Sequence, residues 1–511
     1  MKPQRQSEVS QPSKAETGES LDNASANGSG TLPATGEPSA SNGSPPSSPP
    51  LPKVADLLER RAGEALALNQ RHLNPKLGRV LHTLGFDVDW AEARGAHLID
   101  RQGHVYLDLL AGYGVFSFGR NHPYIKEQLQ RVIGADTPNL PQLGVSTLAG
   151  VLAEQLIARA PASLSTALLV SSGTEAVEAS LKLARAATGR ARIVYCERGF
   201  HGLTLGSLSV NGNAEFRDRF GALLSGCDPV PFGDLGALER ELSSRDVAAF
   251  IVEPVQGKGV YIAPEHYLRE AQELCKRTGT LLVVDEVQTG VGRTGKFLAL
   301  EHWGLEPDMV TLAKALSGGF VPVGALLASR AVFDATFDSM ERSVVHGSTF
   351  GGGDLAAAAA LAALTVLDRE ALVERARRLG DLLLELTLPL VDEFEVVRAV
   401  RGLGLMWAIE LGPPAGRAAR HVWELVERRQ PGLFAQMLTV PLFHDHRILT
   451  QVAGHHMNVI KALPPLVIEE EELRRFVSAL RDVLRQAEDH TLRRYASMGL
   501  ELGRRSLTSV G

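Results

Sequence analysis

Between Leu140 and Val345 the sequence alternates short apolar runs with longer amphipathic stretches such as Ala176–Ala187, and this alternation constrains the fold more than any other feature. The apolar runs are Ala167–Val170, Ile193–Tyr195, Ala248–Val252, Leu281–Val284, Met309–Leu312 and Gly324–Ala328. Short apolar strands between helices are typical of a mostly parallel sheet that is covered on both faces. The sequence therefore predicts an α/β fold with a large domain built on such a sheet.

The sequence outside this region predicts a second, smaller α+β domain and two tails. Further strands are predicted at His97–Asp100, Val105–Leu107, Val396–Val400 and Leu403–Glu410, helical spacing of Ala and Leu runs from Leu355 to Leu388, and a final helix is predicted at Glu469–Glu488. The predicted divisions are a disordered tail rich in Ser, Pro and Gly (1–52), an N-terminal segment that contributes to the small domain (53–110), the large domain (111–353), the C-terminal small domain (354–490) and a C-terminal tail (491–511).

Composition and charge argue against several classes of partner and indicate where the protein is located. The net charge of −6 gives no reason to expect nucleic acid or an anionic membrane as a partner. No apolar run approaches the roughly 18 residues of a membrane span. The three cysteines are far apart, and His444, His446, His455 and His456 are joined by no cysteine or paired carboxylate, so neither a disulfide framework nor a metal site is predicted. We expect a cytoplasmic protein.

Residues 171–175, Ser-Ser-Gly-Thr-Glu, follow the predicted strand that ends at Val170. Ser172 and Glu175 fit a capping box, in which a serine begins a helix and the acid three residues later bonds back to it. Gly173 would let a ligand approach the backbone closely, and the free amides at a helix start favour an anion such as phosphate. The same residues also suit an ordinary strand-to-helix turn, so the motif alone leaves both interpretations open.

Asp285 directly follows the apolar run Leu281–Val284. A carboxylate at the end of a buried strand is unfavourable unless it has a cationic partner. If it faces a pyridine nitrogen, it raises the pKa of that nitrogen and keeps the ring protonated, and a protonated ring can act as an electron sink. The alternative is a structural aspartate that caps the next turn.

Lys314 follows the apolar run Met309–Leu312. Lysine is rarely buried without a partner, and burial lowers its pKa so that the amine can form a Schiff base with an aldehyde. The alternative is a lysine whose ammonium reaches the surface along its own aliphatic chain.

The stretch Gly290–Gly295 reads G-x-G-x-x-G and, with Lys296, nearly matches a P-loop. Phe297 supplies no hydroxyl for Mg²⁺, which argues against the P-loop. Five residues, Asp285–Thr289, separate the predicted strand from the glycines, and no clearly capped helix follows, which argues against a dinucleotide site. Neither nucleotide motif is therefore predicted.

Several separate motifs in this order resemble the signature of class III aminotransferases that depend on pyridoxal phosphate (PLP). They are Asp285–Gly295, Pro307–Asp308 and Ala313–Leu316, and the resemblance extends over roughly Leu77 to Ala487. Gly112–Phe116 is similar to the putrescine and acetylornithine aminotransferase branch. The resemblance implies the PLP-dependent transferase fold type I and a homodimer with shared active sites.

The resemblance also implies roles for individual residues. Lys314 would bind PLP as a Schiff base and Asp285 would pair with its pyridine nitrogen, so these two are the expected catalytic residues. The other expected cofactor-binding residues are Ser172, Gly173 and Thr174 at the phosphate, Phe200 and Val287 on the ring faces, His201 beside Phe200, Gln288 at the phenolic oxygen, and Thr349, which would reach the phosphate from the neighbouring subunit. The residues expected near the substrate are Glu253, Tyr113 and Lys461.

Three positions depart from the family pattern. Lys258 stands where the family often has glutamate, and Asp354–Leu355 stands where it usually has Asn-Pro. Lys461 occupies the place of an arginine that grips the substrate carboxylate in many members. Arginine binds a carboxylate through two parallel hydrogen bonds, which lysine cannot reproduce. This third departure therefore bears on substrate recognition.

The implied function is transfer of an amino group from a small-molecule amine donor to an oxo acid or aldehyde acceptor, with ping-pong kinetics. Lys461 favours a donor whose amine has no adjacent carboxylate, such as a terminal amine, a diamine or an ω-amino acid. An α-amino acid or acetylornithine-type donor stays open, with Arg447 as a residue that could take the carboxylate. Mutase, decarboxylase or racemase chemistry on the same fold is a further alternative.

Overall fold

The computed structural model describes residues 53–140, 144–429 and 431–489, so both predicted tails lie outside the described residues. The described residues belong to two units that divide between Ala62 and Gly63. The first unit contains helix α1 (Val54–Arg60), and the other described elements belong to the second. In the described ranges, no helix combines the length and the apolar character that crossing a membrane requires.

The second unit contains the remaining helices and all the described strands. The helices are α2 (Ala65–His72), α3 (Pro75–Leu84), α4 (Ala111–Gly114), α5 (Pro123–Ile133), α6 (Thr147–Ile157), α7 (Gly173–Thr188), α8 (Leu205–Ser209), α9 (Ala214–Arg217), α10 (Leu235–Leu242), α11 (Tyr267–Thr278), α12 (Arg330–Thr336), α13 (Asp354–Arg369), α14 (Leu372–Thr387), α15 (Leu390–Glu393), α16 (Arg417–Arg429), α17 (Leu433–His444) and α18 (Glu470–Asp489), with short 3₁₀ helices at Ala299–His302, Lys314–Ser317 and Met340–Arg342. The strands are β1 (Trp90–Arg94), β2 (His97–Asp100), β3 (Val105–Asp108), β4 (Thr166–Val170), β5 (Arg192–Cys196), β6 (Cys227–Val230), β7 (Val247–Val252), β8 (Val255–Gln256), β9 (Tyr261–Ile262), β10 (Leu281–Asp285), β11 (Met309–Leu312), β12 (Gly324–Ala328), β13 (Val397–Leu403), β14 (Met406–Leu411), β15 (Ile448–Leu449), β16 (Gln451–Val452) and β17 (Val459–Ala462).

A seven-stranded sheet in the order β4-β12-β11-β10-β7-β5-β6 forms the centre of this unit. Strand β12 runs antiparallel to both of its neighbours, and the other neighbouring strands pair in parallel. All six apolar runs form strands of this sheet, which confirms the predicted α/β class. The apolar pattern missed only β6 in this sheet, because Asp228 and Pro229 interrupt it.

Both faces of the central sheet are covered. Along β5 and β10, alternate residues join different hydrophobic clusters: Val194 and Val284 belong to one, whereas Ile193 and Val283 belong to the other. This follows from the two-residue period of a strand, which sends successive side chains to opposite faces. A strand that is buried on both faces reads as a continuous apolar run, which is why these strands were visible in the sequence.

Three smaller sheets accompany the central one. Strands β13-β14-β17-β16 form an antiparallel sheet, and β8-β9 form a hairpin. Strand β3 pairs in parallel with β15, so residues near position 107 meet residues near position 448. The helical spacing over Leu355–Leu388 corresponds to two helices, α13 and α14, separated at Ala371, whose φ of 48° breaks the helical path. The predicted domain boundaries stay predictions.

The glycine-rich stretch Gly290–Gly295 is a closely packed turn around a buried arginine. Arg293 is 1% exposed, and its guanidinium donates hydrogen bonds to the carbonyl oxygens of Leu405 and Pro464 and to the hydroxyl of Ser117. A Cβ atom on Gly295 would lie 2.9 Å from the Cα of Arg377. The absence of a side chain at Gly295 therefore lets the backbone of Arg377 pack closely, and Arg293 joins segments that are distant in sequence.

We expect Arg293→Met to lower the apparent free energy of unfolding by about 3 kcal/mol, because it leaves two buried carbonyls and a hydroxyl without their donor. Urea unfolding followed by circular dichroism measures this change. The matched control is Arg277→Met, which removes an exposed ion pair with Glu239 and is expected to change the free energy by less than about 1 kcal/mol. Equal effects of the two substitutions would contradict a joining role for Arg293.

Candidate active site

A cavity of about 550 Å³ lies at the carboxyl ends of strands in the central sheet, where ligands gather in α/β proteins. Its lining is made of Val115, residues 171–174 after β4, residues 200–202 after β5, Asp285 and Val287 at the end of β10, Ala313 and Lys314 after β11, and residues 317 and 319–323. The fold therefore brings together all three positions that the sequence singled out at strand ends.

The N-terminus of helix α7 supplies one wall of the cavity. The hydroxyl of Ser172 caps this helix by accepting the Glu175 amide at 3.3 Å, as expected. The carboxylate of Glu175 accepts the amide of Ser171 at 2.7 Å instead of the expected amide of Ser172. Among the described contacts, the amides of Gly173 and Thr174 have no protein acceptor. A 16-residue helix that begins with unpaired amides at a cavity is suited to an anion.

The hydroxyl of Thr174 is directed at other hydroxyls. Its oxygen lies 2.8 Å from that of Thr204 and 2.7 Å from that of Ser207. Thr174 therefore has its backbone amide to offer to an anion. At Gly173, a Cβ atom would lie 2.8 Å from Cγ1 of Val287, so a larger residue would displace the valine from the cavity wall.

Asp285 is buried and accepts three hydrogen bonds. Its Oδ2 lies 2.7 Å from Nδ1 of His201, and its Oδ1 accepts the amide of Val287 at 3.0 Å and the hydroxyl of Thr311 at 2.9 Å. Burial alone would raise the pKa of Asp285, but these bonds and the charge of His201 hold it below its usual value. Because a carboxylate has about four acceptor positions, one remains for a donor in the cavity.

His201 is the cationic partner that a carboxylate in this place requires. Burial opposes its charge, but the bond to Asp285 raises the pKa of His201 above its usual value. Its Nε2 is buried and has no hydrogen-bond partner in the described part of the chain. The pair is therefore ionised, with the histidine at the lining of the cavity.

Lys314 begins the short 3₁₀ helix after β11 and lines the cavity. Its φ of 45° lies in the left-handed region, which is uncommon for non-glycine residues. Burial lowers the pKa of Lys314, and the charges of Asp285 and Glu253 oppose this effect. Among the described contacts its ammonium has no hydrogen-bond partner, so the amine is available for chemistry.

Glu253 and Lys461 lie outside the lining of the cavity and share a contact with Gly257. The carboxylate of Glu253 accepts the amides of Phe200 at 3.0 Å and Gly257 at 2.9 Å, and burial raises its pKa. Lys461, in β17, is buried and donates to the carbonyl of Gly257 at 2.7 Å. Burial, together with the charge of Lys314, lowers the pKa of Lys461 to about 7.

The remaining predicted site residues also lie outside the lining of the cavity. The side-chain amide of Gln288 donates to the carbonyl of Tyr113 at 3.2 Å, and its oxygen is buried without a partner in the described residues. Tyr113 and Thr349 are exposed. Arg447, the alternative carboxylate residue, is exposed, and its carbonyl accepts the amide of Leu107.

The sequence reasoning missed Thr311, Val115 and residues 317 and 319–323. Thr311 was detectable in principle, because it is the only hydroxyl in the apolar run before Lys314 and points to the carboxylate of Asp285. Residues 317 and 319–323 come shortly after Lys314 in the sequence, but their place at the cavity depends on the path of the chain into β12.

Comparison with known proteins identifies the family. The family model described as aminotransferase class III matches residues 82–484. The chain belongs to the class III aminotransferase family. A match over 444 residues to the aminotransferase PigE of Serratia sp. is 38% identical and covers 80% of this chain but 52% of that protein, so the chain spans about half the length of that relative.

Two other relatives match this class III aminotransferase over most of their length. The putrescine aminotransferase of Pectobacterium atrosepticum is 37% identical, with 83% of this chain and 89% of that protein covered. The acetylornithine aminotransferase of Methanopyrus kandleri is 42% identical, with 78% and 95% covered. The solved ornithine aminotransferase of Toxoplasma gondii, described with partial occupancy of PLP, superposes with a TM-score of 0.70 at 32% identity and covers 79% of this chain and 91% of that one.

As a class III aminotransferase, the protein is a PLP-dependent transaminase, and the cavity fits this cofactor. The amides of Gly173 and Thr174 suit a phosphate, and Asp285 has an acceptor position left for a ring nitrogen. Lys314 presents an amine to the same cavity. The three groups that PLP requires therefore meet in one place.

The lowered pKa of Lys461 predicts how stability depends on pH. Its pKa falls from 10.5 to about 7 on folding, so between these values the unfolded chain binds more protons and stability rises with pH. We expect Lys461→Met to reduce the gain in stability between pH 7 and pH 10, measured by urea unfolding. Lys276→Met, which removes an exposed lysine paired with Glu273, should keep the parental slope. An unchanged slope in Lys461→Met would contradict the prediction.

Proposed function

We propose that this class III aminotransferase transfers an amino group from a terminal amine, diamine or ω-amino acid to an oxo acid or aldehyde. The observation that carries the choice of donor is the contact of Lys461 with the carbonyl of Gly257 at 2.7 Å. The ammonium is already engaged, and a lysine cannot grip a carboxylate through two parallel bonds. A carboxylate beside the reacting amine of the donor therefore gains little binding energy from Lys461.

The relatives support two candidate donors. The putrescine aminotransferase, 37% identical to this chain, fits a terminal diamine. The acetylornithine aminotransferase, 42% identical, favours the second candidate, a donor of the acetylornithine type. Arg447 supports the second candidate poorly, because it is exposed and lies outside the lining of the cavity.

The residues of the cavity would hold the cofactor from several sides. PLP supplies an aldehyde that exchanges amino groups and a ring that withdraws electrons. The start of α7, Ser172 to Thr174, would bind the phosphate. Phe200 and Val287, both at the lining, would cover the two ring faces. Asp285, kept ionised by His201, would accept a hydrogen bond from the protonated ring nitrogen.

Lys314 would carry the proton transfers. Because burial lowers its pKa, its Nζ can lose a proton and act as a base on the amine-bearing carbon of the donor. The same Nζ would then deliver this proton, as an acid, to the aldehyde carbon of PLP, so that the amino group stays with the cofactor and water supplies the oxygen of the oxo product. The oxo product leaves before the acceptor enters, which gives ping-pong kinetics.

We also propose a homodimer, in which Thr349 of the partner subunit would complete the phosphate site. Support comes from large apolar side chains that are exposed: Leu203 and Leu205 follow the lining residues 200–202, and Val344 and Phe350 lie in the segment that contains the exposed Thr349. Large exposed apolar side chains are typical of a surface that another chain covers. The proposed setting is the cytoplasm, where the unpaired thiols of Cys196, Cys227 and Cys275 stay reduced.

We expect borohydride to fix a pyridoxyl group on Lys314, because its amine is the one that reaches the cavity next to Asp285. Peptide mapping by mass spectrometry locates the group. Lys314→Ala should lose both the label and turnover while retaining part of the affinity for PLP. A label on Lys258 or Lys296 would overturn the assignment.

We expect Asp285→Asn to lower kcat by at least about a hundredfold, because a neutral amide stabilises the ring proton far less than a carboxylate does. Borohydride labelling of Lys314 should persist in this variant. The matched control is Asp308→Asn, where the carboxylate accepts the Leu282 amide at the other end of β10 and turnover should change little. Near-normal turnover of Asp285→Asn would contradict the proposed contact between Asp285 and the ring nitrogen.

We expect the parent to prefer a terminal diamine over an α-amino acid, and Lys461→Arg to shift the ratio of kcat/KM towards the α-amino acid by about tenfold, since an arginine can add a second charge-assisted bond. Single-turnover conversion of the cofactor, followed by absorbance, measures both donors. The proposal is falsified if the parent strongly prefers the α-amino acid and Lys461→Ala leaves that preference intact.

A further inference from the structure

A cluster of aromatic and charged side chains lies directly behind Phe200. It consists of Phe216, Lys258, Glu215 and His455, and none of the four belongs to the lining of the cavity. The Phe216 ring meets the Phe200 ring nearly edge-on, with centroids 5.4 Å apart and planes at 76°. This geometry is favourable for an aromatic pair, because the positive edge of one ring meets the negative face of the other.

Lys258 binds the face of Phe216. Its Nζ lies 4.0 Å from the ring centroid and 2.8 Å from Oε1 of Glu215. The side chain of Lys258 is 12% exposed, and a cation–π contact strengthens when the cation is removed from water. His455 packs edge-on against the same ring, with centroids 5.6 Å apart. The Phe216 ring is therefore held by Phe200, Lys258 and His455.

The backbone on both sides of Lys258 is fixed by cations from the antiparallel sheet. Lys461 in β17 binds the carbonyl of Gly257, and Arg401 in β13 binds the carbonyl of Gly259 at 2.7 Å. The amide of Gly257 is bound by Glu253, whose other oxygen binds the amide of Phe200. The ammonium of Lys258 is thus presented to Phe216 from a fixed turn that is also tied to the backbone of Phe200.

We propose that Lys258 is a positioning residue for the cofactor ring, which it orients through Phe216 and Phe200. This inference rests on the proposed function, because it takes Phe200 to cover one face of PLP. The charge of Lys258 matters to the contact. A glutamate at this position would bring a negative group to the negative face of Phe216, which is repulsive, whereas an ammonium is attracted to it.

The test compares Lys258→Met, which keeps an apolar chain of similar length, with Lys258→Arg, which restores a cation. The readouts are the visible circular dichroism of bound PLP, which reports the orientation of the ring, and the dissociation constant for PLP. We expect Lys258→Met to weaken the dichroic band and to raise the dissociation constant by about three- to thirtyfold, the range that a desolvated cation–π contact spans. Lys258→Arg should stay within about threefold of the parent.

The control is Lys276→Met, the same change at an exposed lysine paired with Glu273, which should keep the parental band and affinity. Phe216→Leu removes the intermediate ring and should reproduce the loss seen in Lys258→Met, even if the latter folds poorly. An unchanged band and affinity in either Lys258→Met or Phe216→Leu would overturn the inference. So would a Lys258→Met variant that raises only the KM of the oxo acid, because Lys258 would then bind substrate directly.

Failure of this inference is distinguishable from failure of the proposed function. Borohydride labelling is measured on the same preparations, so a parent without pyridoxyl-Lys314 would overturn the proposed function before any variant is compared. A labelled parent whose dichroic band survives Lys258→Met would overturn only the positioning role.

Discussion

The buried carboxylate of Asp285 is the group on which the arrangement of the site depends. A charge at the end of an interior strand is unfavourable unless hydrogen bonds and an opposite charge replace water. Here His201, Thr311 and the amide of Val287 supply them, and each comes from a different segment: the loop after β5, strand β11 and the turn after β10. The three hydrogen bonds to the Asp285 carboxylate therefore fix three parts of the cavity wall relative to one another.

A second buried carboxylate, Glu253, lies outside the lining of the cavity and is stabilised differently. Within the described residues it has no cation in hydrogen-bonding contact, and it binds the amides of Phe200 and Gly257. The carbonyl of that same Gly257 binds Lys461. Charges on Lys314, Lys461 and Glu253 consequently influence one another in a region of low polarity, where electrostatic effects are strong. The reactivity of Lys314 and the charge state of Lys461 therefore each depend on the charges of all three residues.

The family determines the cofactor and the class of reaction, whereas the choice of donor is the part of the function that we propose from Lys461. The fold supports many reactions, so the fold alone does not choose a substrate. Lys461 is bonded to the carbonyl of Gly257, and Lys258 brings a cation to the aromatic pair behind Phe200. Lys258 lies in the hairpin turn between β8 and β9, and Lys461 binds the carbonyl of Gly257 in the same turn, so the two departures lie close together outside the lining of the cavity.

The sequence by itself determined six of the seven strands of the central sheet, because strands buried on both faces are continuously apolar. It also located Ser172–Thr174, Asp285 and Lys314, because polar groups directly after such strands are unusual. It could not show that His201 is the partner of Asp285, since 84 residues separate the two. It also gave no sign that Lys461 binds Gly257, or that Arg293 joins Leu405 to Ser117. Local pattern reports which face of an element is buried, whereas partnerships between distant segments arise only when the sheets and helices pack, and the tertiary structure alone decides them.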